Sequence, residues 1–107
     1  MKELNLVNKK REVEKVSNPD LVYHKALILL NEFDDIELDF STRINKKYMI
    51  RGDFTNNKYI HFGDLKYEDF TKHQDDERLN KFRIRNKHWI KKYDKYSPAW
   101  FSYYILW

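Results

Sequence analysis

The sequence predicts an α+β fold: an N-terminal helix, a small three-stranded antiparallel β-meander, a long basic helix, and a short aromatic C-terminal helix that closes the core. Three observations lead there. The apolar period changes from helical to alternating near Phe33 and returns to helical after Asp75. Two glycines and two prolines among 107 residues leave few tight joints, so the elements are long. The last nineteen residues, Trp89 to Trp107, hold all three tryptophans and eight of the aromatic side chains, more than a solvated tail would carry.

A chain of this length predicts one domain, residues 1–107. Leu, Ile, Val and Phe together supply enough apolar surface for a core although 36% of residues are charged. Met1 to Val16 mixes Leu and Val with Lys, Arg and Glu and reads as a frayed helix or an arm. Ser17-Asn18-Pro19-Asp20 is a helix start, with Ser17 or Asn18 as cap, Pro19 in the first turn and Asp20 at the positive end of the dipole. That helix is expected to reach Phe33, with Val22, Tyr23, Ala26, Leu27, Leu30 and Phe33 on its apolar side.

From Asp34 to Ile44, Ile36, Leu38 and Phe40 alternate with polar residues, as in a strand with one wet face. A hairpin follows, Lys47 to Phe54 and Lys58 to Phe62, turning at Thr55-Asn56-Asn57. Gly52 suggests a bulge or a close backbone approach. Leu65 to His73 is a connection with one helical turn around Tyr67 to Phe70. The basic helix spans Asp75 to Tyr93, its carboxylates loaded at the start. Leu79, Phe82, Trp89, Ile90 and Tyr93 project into one apolar arc, interrupted by Asn86. Ser97-Pro98 then caps a helix from Ala99 to Trp107 that is apolar or aromatic all round, so it must be buried in this chain or in a partner.

Most catalytic classes lack a starting residue. There is no cysteine, so no disulfide framework, thiolate metal site or thiol nucleophile is available. The histidines at 24, 61, 73 and 88 do not stand at metal-ligand spacings, and no glycine-rich phosphate loop exists. His73 with Asp75 or Asp76 has the composition of a proton-transfer pair, but a carboxylate there is more often a helix cap. His61 reads as a structural or surface residue. No metal, cofactor or enzymatic activity is expected. The longest apolar stretch, Ala26 to Leu30, is too short to span a bilayer, and no membrane insertion is expected.

Two binding surfaces remain. The net charge of +4 is concentrated: Arg78 to Lys95 carries eight basic side chains and one acidic one. Arg78, Lys81, Arg85, Lys87, Lys91 and Lys92 are therefore candidates for an anionic partner, either nucleic-acid phosphate or an acidic protein surface. In the aromatic stretch, Trp89 and Phe101 are expected in the core. Trp100, Tyr103, Tyr104 and Trp107 are candidate anchors for a partner, since Trp and Tyr are typical hot spots. Base stacking is less expected on a helix than on an open sheet face.

Several blocks in order, Lys46-Lys47-Tyr48-Met49, Ile60-His61-Phe62-Gly63, Tyr67 to Arg78, then Phe82, Arg85, Trp89, Phe101-Ser102 and Leu106-Trp107, resemble a family of small basic proteins of large nucleocytoplasmic DNA viruses of algae and protists. The resemblance covers residues 46–107 and leaves out 1–45. The chain departs from the family pattern at Asn86, Ala99 and Tyr103, where histidine, glycine and arginine are usual. It implies a viral protein resident in the virion, the host cytoplasm or a viral factory, and it brings no activity with it. The expected function is a non-catalytic minor structural or accessory protein that docks on other virion or capsid proteins through its aromatic end and basic helix. The alternative is sequence-independent binding of DNA or RNA.

Overall fold

The computed structural model describes residues 2–92 and 94–107, with side chains from residue 7 onward. Helices α1 (Lys2–Glu14) and α2 (Pro19–Leu29) lead into an antiparallel sheet of β1 (Glu37–Phe40), β2 (Lys46–Arg51) and β3 (Ile60–Asp64) in that order. Helices α3 (Phe70–His73), α4 (Asp76–Asn86) and α5 (Pro98–Phe101) follow, and α5 runs straight into a π-helical turn, Ser102–Leu106. The α+β fold with a three-stranded antiparallel sheet and an aromatic C-terminal helix is as the sequence predicts.

The strand register explains the alternating residues. Phe40 faces Tyr48 and Tyr48 faces Phe62 across the three strands, while Leu38 and Ile60 flank Ile50. The Tyr48 ring lies 6.0 Å from Phe40 and 5.7 Å from Phe62, a cross-strand aromatic row on the core face. Tyr48, Ile50 and Phe62 share one core with Val13 of α1, Val22, Ala26 and Leu30 from the α2 region, and Phe101, Ile105 and Leu106 from the C-terminal end. Residues before 46 thus fold onto the same core as those after it. Fully burying side chains such as Phe101 and Ile105 contributes about 1.5–3 kcal/mol each, so the C-terminal turn is part of the foundation.

Several boundaries differ from the sequence reading, each for a local reason. Helix α2 stops at Leu29 rather than Phe33, and Tyr23 (52% exposed) and Leu27 (45%) face outward, so its buried side is a narrow Val22-Ala26-Leu30 stripe. Asn18 is its cap, accepting from the Leu21 N–H, and Ser17 is freed for another role. In the hairpin, Phe54 lies past the end of β2 in a 3₁₀ turn (Asp53–Thr55), and the chain reverses through Asn56 and Asn57, both left-handed at φ 55° and 61°. Gly52 forms no bulge, since the β1–β2 register runs unbroken to Arg51, but a Cβ there would stand 2.5 Å from the Phe54 ring. The helical turn expected around Tyr67 to Phe70 falls instead on Phe70–His73.

Gly63 is the one glycine whose backbone demands it. Its φ is +84°, and a Cβ would meet Leu106 at 2.9 Å and the Lys47 side chain at 3.1 Å. The C-terminal turn is thereby seated directly against the end of β3.

Candidate functional site

A buried polar network joins β2 to the segments around the starts of α2 and α3. Lys47, 2% exposed, extends its ammonium to the Asp69 carboxylate at 3.0 Å and donates to the Tyr67 carbonyl at 2.6 Å. The other Asp69 oxygen accepts from the Thr71 hydroxyl. Thr71 Oγ1 also accepts from the Asn18 N–H at 3.0 Å and lies 3.2 Å from Ser17 Oγ, which accepts from the Tyr48 hydroxyl at 2.8 Å. Lys47 and Tyr48, neighbours on β2, reach the network from its two ends. Burial pushes the Lys47 ammonium below the usual lysine range, opposed by Asp69, and burial pushes the Tyr48 hydroxyl up. Every member has a partner, the condition under which a buried network fixes one arrangement. It ties the start of α2, β2, and α3 with the segment before it together.

The His73 ring continues this frame. Its Nδ1 accepts from the Asp75 N–H at 2.9 Å, which places the proton of the neutral ring on Nε2, a buried atom with no partner among the described residues. The ring lies 5.1 Å from Trp107 and 5.8 Å from Phe70. Asp75 is the α4 cap, its Oδ1 accepting from the Glu77 and Arg78 N–H groups. Burial first, and Arg78 second, hold the His73 pKa below the ordinary 6.5. Because the unfolded ring binds its proton more tightly, stability is full above about pH 6.5 and falls as the pH drops below it toward the folded pKa. Thermal melts of wild type and His73→Gln at pH 7.5 and 5.5 (~2 units apart across the usual histidine pKa) should show a smaller acid loss in the variant.

Helix α4 is held by few side chains. Phe82 stacks on Trp107 at 4.2 Å with planes 4° apart and lies 5.9 Å from Tyr103, and Leu79 is half-buried. No α4 residue is fully buried. The helix ends at Asn86, whose side chain donates to the Phe82 carbonyl at 2.8 Å, and Lys87 to Lys92 follow as turns. This corrects the longer helix read to Tyr93. Trp89, expected in the core, is 52% exposed with Lys92 over its ring at 5.2 Å. Tyr93 lies outside the described residues.

The six candidate cations share this segment but not one environment. Arg78 pairs with Glu68 at 3.1 Å and Lys81 with Glu77 at 3.3 Å. Among the described residues, Arg85, Lys87, Lys91 and Lys92, together with Arg83, are exposed and have no carboxylate within 4.0 Å. Arg83 sits close enough to Lys25 on α2 to add to the burial that lowers that lysine's pKa, with Asp69 opposing.

A cleft of about 680 Å³ opens between α4 and the β3–α3 connection. Arg78, Lys81 and Arg85 line the α4 wall, Asp64, Tyr67 and Glu68 the other, and Phe82, Leu106 and Trp107 form an apolar floor. Sequence reasoning missed the far wall and the Lys47–Asp69 pair; the signal available for both was the ordered KKY and Tyr67-to-Arg78 blocks. Of the proposed aromatic anchors, Trp107 is half-buried against Phe82 and His73, Tyr103 against Phe82, and Trp100 against Tyr96 and Phe101. Tyr104 alone among them is exposed, at 43%. The domain itself uses most of this aromatic surface.

A family of unknown function, DUF5754, matches residues 36–86. The match runs from just before β1 to the last residue of α4. No curated protein and no solved structure matches the chain. The matched segment contains Lys47, Asp69, Thr71, His73 and the α4 cations, and stops short of the C-terminal turn on which Phe82 stacks. Among the described residues, no group of three or more His, Asp or Glu side chains is arranged to hold a metal ion, and no helix is long and apolar enough to cross a membrane.

Proposed function

We propose that this protein is a non-catalytic accessory protein that holds nucleic acid by its phosphates along residues 78–92. The observation that carries the reading is the set of five exposed cations, Arg83, Arg85, Lys87, Lys91 and Lys92, without carboxylate partners among the described residues. Unpaired cations this close in sequence repel one another, and a phosphate backbone relieves that repulsion while releasing its own counterions. The α4 frame supports the geometry, because the Asp75 cap and the Phe82–Trp107 stack fix the helix that presents Arg83 and Arg85 and from whose end the turns carrying Lys87, Lys91 and Lys92 leave. Contacts of this type position a strand without reading its sequence. The reading is tested by fluorescence anisotropy with a mixed-sequence oligonucleotide at about 50 mM salt, where phosphate contacts are strong. Saturable binding is expected, and its absence overturns the reading.

Docking on other particle proteins is the second reading. It rests on the viral resemblance and on exposed Ile84 (73%), Trp89 (52%) and Tyr104 (43%), which are typical protein-contact residues left outside the core. A mass-spectrometric inventory of purified particles tests it, and absence of the chain from the particle overturns it.

A further inference from the structure

We infer that the cleft beside α4 receives one unstacked, amino-bearing base of a single strand whose phosphates run along the cationic segment; this rests on the nucleic-acid reading above. The volume, about 680 Å³, lies within the range of sites that enclose a small organic group. Its chemistry is divided between the walls. On α4, Lys81 and Arg85 supply charge for the adjoining phosphates.

On the other wall, Tyr67 is 65% exposed and belongs to no aromatic pair among the described residues, and it is not one of the core side chains. Phe82 is engaged by both Trp107 and Tyr103, and Trp107 by both Phe82 and His73, which leaves Tyr67 as the cleft ring with no aromatic neighbour among the described residues and the one on which a base can stack. Asp64 uses one carboxylate oxygen to accept from the Lys66 N–H at 2.9 Å, and its other oxygen has no partner among the described residues. A free carboxylate oxygen selects a ligand with a donor. Cytosine and adenine carry exocyclic amines with two N–H donors, whereas thymine's one donor, N3–H, sits between two carbonyl oxygens that a carboxylate repels. A duplex keeps its bases stacked and paired, so it reaches the cations but not the cleft.

Anisotropy titrations of the full chain with ~12-nucleotide oligo-dC, oligo-dT and a duplex of the same length test this directly. The expected order is oligo-dC tightest, then oligo-dT, then duplex. Tyr67→Ala should weaken oligo-dC by about fivefold or more while leaving duplex affinity unchanged. The exposed ring can be removed without touching the core, and the backbone carbonyl that Lys47 uses is retained. Asp64→Asn should narrow or reverse the preference for dC over dT. If wild type binds single strand and duplex equally, or Tyr67→Ala changes nothing, the base site is wrong and the phosphate reading stands. If neither probe binds, both fall.

Discussion

Asp69→Ala is expected to destabilise the fold by about 3–5 kcal/mol, the cost of leaving one partner of a buried ion pair uncompensated. In a domain of this size that is a large share of the whole stability. The loss goes beyond one contact. Asp69 receives the Lys47 ammonium and the Thr71 hydroxyl, and Thr71 in turn connects to Asn18 and Ser17. With the carboxylate gone, Lys47 at 2% exposure has only the Tyr67 carbonyl to hold its charge. Urea denaturation followed by circular dichroism measures the change. The double variant Lys47→Met with Asp69→Leu separates net from broken-pair cost: it should recover much of the loss, because an apolar pair leaves no charge stranded. A single Asp69→Ala variant as stable as wild type would mean that the network does not hold the fold together.

The second large effect is on binding. Reversing Lys87, Lys91 and Lys92 together to glutamate changes the local charge by six units, and the affinity for any oligonucleotide should fall by roughly a hundredfold or more. All three side chains are exposed, outside the core and outside the buried network, so thermal stability should be unchanged or slightly raised as like-charge repulsion is relieved. Retained affinity in the reversed protein would remove these lysines from the binding surface.

The elements most legible in the sequence were those whose signal is local. Ile36, Leu38 and Phe40 alternate because one sheet face is wet, and the structure leaves all three partly buried with Glu37 and Asp39 outside. Ser97 and Asp75 cap helices in the way their side-chain oxygens dictate. Nothing local marks Lys47 as buried, because its partner lies 22 residues away and is brought to it by the fold. The Tyr48–Ser17–Thr71 chain is hidden for the same reason. Trp89 was misread because an arc projected at helical spacing assumes the helix continues. Asn86 takes the Phe82 carbonyl with its side chain, and the cations at 87 and 91 disfavour another turn. The aromatic end looked like a set of anchors because composition shows burial but not which molecule provides it. Here Trp107 lies against Phe82 and His73, and Trp100 against Tyr96.

The salt dependence of oligonucleotide binding tests phosphate recognition along residues 78–92 most directly. If five unpaired cations engage phosphates, log affinity falls linearly with log salt, with a slope near −0.7 per contacted phosphate for a single strand, and the slope shrinks when Lys87, Lys91 and Lys92 are reversed. An affinity that does not change between about 50 mM and about 200 mM salt, or a slope identical in the reversed protein, would contradict it.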